Sequence, residues 1–316
     1  MIKIFVVCHK PSHVLKNPLL HPIQVGAALA EKKIPGMEYD DSGEHISEKN
    51  PLYCELTAQY WAWKNIEADY YGFFHYRRYM AFHAVCPVNA DGTLQGSRHR
   101  QIYYELDDIR DDLSEYCLRS DRMESVIASY DLITVLRERI NTTVYRQFGE
   151  FHDSKTLDEV IRILKRKYPA YAEAADQYLK AKDIYYMNMF IMKKELYQEY
   201  ATWLFDILEE YEQMEVFQQL GDKKKRLPGF LAERLFGIFY LYQRKQGVRC
   251  AEVPYLKFYN TDVESDGTGK GTSGQHIRVF RLKPTPIEIK VDMRKINRMF
   301  PAGSRRRLLL RGLFFR

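Results

Sequence analysis

Residues 70–79 read YYGFFHYRRY. The stretch opens as an apolar run and closes on a histidine, a tyrosine and two arginines. A strand buried on both faces reads as a continuous apolar run, so the start of this stretch predicts an interior strand of a covered sheet. In open α/β sheets, ligands sit outside the carboxyl ends of such strands. Ordinary strand ends carry Gly, Asn, Asp or Ser turn chemistry. Here His75, Tyr76, Arg77 and Arg78 put a cationic cluster where a ligand would bind. The pattern recurs. Ile2–Val7 runs into Cys8, His9 and Lys10, and YDLITVL (130–136) runs into Arg137, Glu138 and Arg139. If the three strands are parallel in one sheet, their ends converge on one edge. Such an edge suits a diphosphate, because Arg offers phosphate oxygens a planar fork and Lys a point charge.

The 316 residues allow one large α/β domain or two smaller ones. Tyrosine is abundant, with 24 copies, and its apolar ring with a polar tip suits stacking on sugars or bases. A net charge of +6 is too small to demand nucleic acid. Five scattered cysteines without CxxC spacing read as reduced thiols of a cytoplasmic protein. Lys3 interrupts the first apolar run, so no signal peptide is expected. No apolar stretch reaches the roughly 20 residues of a spanning helix.

Periodicity gives an α/β order. A helix is expected within residues 13–33 (IQVGAALAEKK), and another from Asn50, with Pro51 at its first position. In the latter, Leu52, Leu56, Trp63 and Ile66 face the core, and Glu55, Thr57 and Lys64 fall elsewhere. Residues 80–100 read as a loop insertion, and helices are expected over 103–119, 122–129, 155–167, from Pro169 to about 182, 194–215 and 230–244. Residues 183–192 (DIYYMNMFIM) read as one strand with an out-of-place Asn188, and 248–258 as a short strand and loop. The Gly-rich 266–275 lacks true P-loop spacing, and 287–291 reads as a strand.

Some polar residues resist a structural explanation. Glu233 and Arg234 sit in the apolar helix 230–244 with no charged residue three or four positions away. Adjacent helical residues do not face each other, so each needs a partner from another element or from a ligand. His152 and Asp153, just before a helix, read either as a surface histidine and a cap or as part of a site. There is no HExxH, no zinc-spaced Cys/His set and no GxSxG elbow.

Four segments together resemble one bacterial family: ISEKNPLYCELTAQYWAWKN (46–65), YYGFFHYRRY (70–79), MNMFIMKKELYQEYATWLFDIL (187–208) and PGFLAERLF (228–236). The family is a former domain of unknown function linked to capsular and exopolysaccharide biosynthesis, with members similar to galactofuranosyltransferases. The resemblance covers roughly residues 1–260. It implies a GT-A-like α/β fold, a Rossmann-like central mixed sheet flanked by helices, with residues 261–316 as a flexible loop and small basic C-terminal extension. It also implies transfer of a sugar from a UDP-sugar donor, galactofuranose being a candidate, to a glycan or lipid-linked glycan acceptor. Many GT-A enzymes hold a divalent metal, Mn or Mg, on the donor diphosphate through an Asp-x-Asp at a strand end. Here the equivalent residues are His75, Tyr76, Arg77 and Arg78, so no metal ligand is assigned, and cations can neutralise the leaving group instead.

The resemblance implies Glu233 as base, with His75 and Arg234 beside it in the catalytic group. His9, Lys10, Tyr76, Arg77, Arg78 and Arg137 are the donor-binding set, and Asn188, His152 and Asp153 the acceptor-side positioning set. The tail RRRLLLRGLFFR (305–316) has the composition of a segment that lies on an anionic membrane surface, on the inner face of the cell membrane. A non-catalytic glycan-binding or scaffold subunit is the alternative, expected to bind sugar without UDP. An RNA-binding role has no recognisable motif behind it.

Overall fold

The computed structural model describes residues 1–95, 101–110 and 112–263. The segments 266–275, 287–291 and 305–316, and most of the expected extension 261–316, lie outside the described residues. The chain opens with β1 (Ile2–Cys8), β2 (Leu20–Gln24), β3 (Glu38–Tyr39), α1 (Asn50–Tyr53) and α2 (Leu56–Asn65). β4 (Tyr70–His75), β5 (Arg78–Met80), β6 (Cys86–Val88), β7 (Tyr103–Asp108), α3 (Ser120–Ile127), β8 (Leu132–Val135) and β9 (Glu138–Arg139) follow. Next come α4 (Val144–Phe151), α5 (Ser154–Lys167), α6 (Ala172–Lys180), β10 (Asp183–Ile184) and β11 (Phe190–Lys193). α7 (Lys194–Gln213), α8 (Glu215–Gln218), α9 (Leu227–Lys245), β12 (Cys250–Val253) and β13 (Tyr255–Asn260) complete the described chain.

The main sheet has the order β3-β2-β1-β4-β11-β8-β12-β6. β1 is parallel to β2 and β4, while β11 runs antiparallel to both β4 and β8. β1, β4 and β8 therefore point the same way, as the three cationic strand ends require. β5 folds back on β4 through Tyr76 and Arg77, and pairs with β13, which carries β7. Side chains alternate across a strand. Along β1, Phe5 and Val7 enter one apolar cluster, Ile4 and Val6 the other, on the opposite face of the sheet. Burial on both faces is why this strand, like β4, is written as an unbroken apolar run. The helical face holds most of the aromatic mass, including Trp203, Phe236 and Phe239.

Several expectations need correction. The helix expected within 13–33 is replaced by the parallel strand β2 and a 3₁₀ turn at Ala27–Leu29. Pro22 cannot continue a helix interior, and Gly26, at φ 66, breaks the chain between the two elements. Residues 103–119 hold β7 and a 3₁₀ turn at Ser114–Tyr116 instead of a helix. There Tyr103 and Tyr104, good strand formers, pair with Tyr255 and Leu256. The helix from Asn50 is split: Cys54 takes φ 52, ending α1 before α2 begins. This break turns Glu55 toward the interior cleft, and Thr57 is fully buried, donating to Asp40 at 2.6 Å. The single strand expected over 183–192 is likewise two strands, interrupted at Met187 (φ 79) and Asn188 (φ 49). The loop expected over 80–100 contains β6.

A buried carboxylate ties the far side of the sheet together. Glu252, with no exposed surface, accepts from the backbone N–H and Nε of Arg137 at 3.1 and 3.0 Å, from a further Arg137 guanidinium N–H, and from the Tyr185 and Tyr240 hydroxyls at 2.7 and 3.3 Å. Removing one partner of such a pair leaves an uncompensated buried charge. Glu252→Ala is expected to cost roughly 3–5 kcal/mol. The measurement is the denaturant midpoint at unchanged slope, and a loss below about 1 kcal/mol would mean that water replaces the carboxylate.

Candidate active site

A cleft of about 630 Å³ opens at the carboxyl ends of β1 and β4. Val7 and His75, register partners at those ends, form part of its wall. Arg78 stands opposite His75 across the tight turn. The Met187–Met189 break contributes another side, α4 brings Gln147, Phe151 and His152, and α9 brings Phe230, Glu233 and Arg234. Glu55 and Arg226 complete the charged lining.

The cationic cluster is packed, not loose. Tyr76 is buried and serves as its platform, with the His9 ring 5.1 Å away, the His75 ring at 4.4 Å, and the Arg77 guanidinium and the Lys10 ammonium 5.3 and 5.8 Å from its centroid. Lys10 also pairs with Asp262 at 2.5 Å. The Arg77 N–H donates to His75 Nδ1 at 3.2 Å, which leaves the ring proton on Nε2. Burial, reinforced by Arg78 and Arg77, pushes the His75 pKa down to about 3. Burial also holds Arg78 below the usual guanidinium range. Arg78 is half-buried, and among the described residues it forms no ion pair. Desolvating an unpaired cation is costly, so a negative charge in the cleft would stabilise Arg78.

The carboxylate side is differently built. Glu233 accepts from the Met187 N–H at 2.8 Å through Oε1 and from Arg234 Nη1 at 2.8 Å through Oε2. The two thus partner each other, contrary to the expectation drawn from their adjacent positions. Arg234 also donates to Gln147 Oε1 at 2.5 Å and lies near the rings of Phe148 and Tyr186. Burial raises the pKa of Glu233, against the pull of Arg234. Asn188 donates to Glu55 Oε1 at 2.7 Å and to the Gly229 carbonyl at 3.1 Å. His152 sits between Phe148 and Phe230, with ring centroids 4.9 and 4.5 Å away.

The structure therefore brings His9, Lys10, His75, Tyr76, Arg77 and Arg78 together, and Asn188, His152, Glu233 and Arg234 across from them. Two candidates are elsewhere. Arg137 is taken by Glu252 and by the Gly92 carbonyl at 2.9 Å, because β11 separates its strand from β4. Asp153 caps α5, accepting from the Lys155 N–H at 3.0 Å. Sequence reasoning missed Glu55, Arg226, Gln147 and Tyr186. Glu55 follows a cysteine with a positive φ, which helical periodicity cannot foresee. Arg226, at φ 61, is the residue before α9; the preceding Lys-rich run reads as solvent-facing charge.

The donor set does not suit a divalent cation. At the strand end stand imidazole and guanidinium groups, and both oxygens of Glu233 and one of Glu55 are engaged. No group of three His, Cys, Asp or Glu converges among the described residues.

Against this geometry the comparisons fall into place. The chain belongs to the family described as a domain of unknown function, DUF4422, whose model matches residues 3–245. A solved structure described as the bifunctional glycosyltransferase WbbM in its apo form is similar, at 30% identity and a TM-score of 0.72, the match covering 86% of this chain and 48% of that one. This chain thus spans about half the length of that relative. No curated protein matches. The fold is accordingly GT-A-like: a mixed central sheet flanked by helices, as expected. No helix among the described residues is long and apolar enough to cross a membrane.

The His75 shift has a direct consequence. A group with a pKa near 3 stays neutral throughout the working range, unlike a solvated histidine, which titrates near 6.5. The ring ¹⁵N resonances of His75 are expected to show no inflection between pH 5 and 8. An inflection near 6.5 would mean that the ring is solvated and free of the arginines.

Proposed function

We propose that this chain is a glycosyltransferase that moves a sugar from a UDP-sugar, galactofuranose being the leading candidate, to a hydroxyl of a glycan or lipid-linked glycan during capsular or exopolysaccharide synthesis. The observation that carries the proposal is Arg78, a half-buried guanidinium with no ion pair among the described residues, facing a cleft at the ends of parallel strands. The likeness to a bifunctional glycosyltransferase supports it. In this reading Arg78, with Arg77, Arg226, His9 and Lys10 around it, takes the donor diphosphate. Fixed donors aimed at developing charge are the main source of stabilisation in such transfers. His75, neutral, offers its Nε2–H as a hydrogen-bond donor. Across the cleft, Glu233 and Arg234 act as a positioning pair that holds the Met187 turn, while His152 and the exposed ring of Phe151 form an acceptor-side wall.

This leaving-group arrangement needs no divalent ion. Arg78→Ala and Arg226→Ala are expected to weaken UDP binding by about 1.5–3 kcal/mol each, as for charge-assisted contacts, with the fold intact. Unchanged affinity in both variants, measured by calorimetry, would sink the proposal. Transfer is expected to survive exhaustive EDTA; full loss restored by manganese would show that carboxylates build a metal site. Sugar binding without UDP binding would favour the scaffold alternative.

A further inference from the structure

Two carboxylates reach the cleft, and they differ in what they have left to offer. Both oxygens of Glu233 are already engaged, by the Met187 N–H and by Arg234. Glu55 has Oε1 held by Asn188 at 2.7 Å, and among the described residues no cation pairs with it. Its other polar neighbours are its own backbone N–H and, electrostatically, Arg226 and Arg78. Glu55 is thus a carboxylate aimed by one side-chain hydrogen bond, and among the described residues no other side chain bonds it. The aiming residue is itself firmly placed. Asn188 is nearly fully buried, its Nδ2 also reaches the Gly229 carbonyl at 3.1 Å, and its own carbonyl accepts from Gln59 Nε2 at 3.2 Å. Asn188 and Met187 both have positive φ, at 49 and 79. Two successive non-glycine residues in that region are uncommon, and such outliers persist where the surroundings over-determine them, often at functional sites.

We propose that Glu55, positioned by Asn188, is the base that takes the proton of the acceptor hydroxyl; this rests on the cleft being the glycosyl-transfer site. The acceptor oxygen bonds to the anomeric carbon as its proton passes to the Glu55 carboxylate. The bond from that carbon to the diphosphate breaks, and its electron pair leaves with UDP into the arginine cluster. Glu55 then returns the proton to solvent. The environment suits the task. Burial raises the pKa of Glu55, while the Asn188 bond and then Arg226 and Arg78 restrain the rise, and a base is most effective with a pKa near the working pH. Because the active form is the carboxylate, kcat falls as pH drops through that raised pKa.

The test uses the full chain with UDP-galactofuranose as donor and octyl galactoside as acceptor, and calorimetry with UDP. Glu55→Gln keeps an oxygen for Asn188. It is expected to bind UDP as well as the parent or more tightly, and to lose kcat by about 10²–10⁴-fold, the usual contribution of a general base. Asn188→Ala removes a bond to the charged form, so the acid limb of its kcat profile moves to higher pH. Near-normal kcat in Glu55→Gln overturns the assignment while leaving the glycosyltransferase reading intact. If Glu55→Gln does not fold, the limb of Asn188→Ala decides, and an unmoved limb overturns the proposal. If the parent chain neither binds UDP nor releases it from the donor, the reading of the cleft fails and Glu55 falls with it.

Discussion

The Asn188 side-chain amide joins the segment before β11 to both α2 and α9. It lies just before β11, the strand beside β4; its side chain donates to Glu55 at the start of α2 and to the Gly229 carbonyl in the first turn of α9, and the backbone carbonyl of the same residue accepts from Gln59 within α2. These bonds, made by a nearly fully buried residue, tie the break to both helices. The same break presents the Met187 N–H to Glu233. One side of the cleft is thus built by the non-strand residues Met187, Asn188 and Met189, just before β11 begins.

Charge is distributed across this cleft with a clear asymmetry. On the side of the strand ends, guanidinium and imidazole groups gather round the Tyr76 ring, and among the described residues only Lys10 of this cluster has a paired acid, Asp262. On the helical side, each acid is hydrogen-bonded and one is neutralised by its neighbour. A surface where cations and acids interleave would cancel its own field. Here the separation concentrates positive potential at the carboxyl ends of β1 and β4, where lower dielectric strengthens it. An anion placed there would meet an internal salt bridge only at Lys10, among the described residues.

Most of this was legible where burial and period agree. The doubly buried strands β1, β4 and β8 were visible as apolar runs, and the long helices α5, α7 and α9 as amphipathic or apolar segments near their observed bounds. The cluster at His75–Arg78 stood out because its residue types are foreign to ordinary turns. Failures came where long-range pairing overrides local propensity. β2 and β7 depend on partners 10 or more positions away in the chain (Ile4 with Leu20, Tyr103 with Tyr255), which no local window contains. Glu55 was hidden for another reason: a single positive φ at Cys54 rotates everything after it, and a cysteine does not announce such a turn as glycine does. Arg137 misled because parallel strand ends converge only if they are neighbours.

Arg226 carries a consequence of its own. It sits at φ 61 immediately before α9, facing the cleft, with its guanidinium 5.4 Å from the Phe230 centroid. Left-handed backbone is inexpensive for glycine and costly for arginine. A glycine at this position would relax the backbone and start the helix equally well, while removing a charge from the cleft. Under the proposed function, folding and anion binding therefore pull this one position in opposite directions. A glycine at residue 226 would then trade the charge in the cleft for a backbone free of that cost.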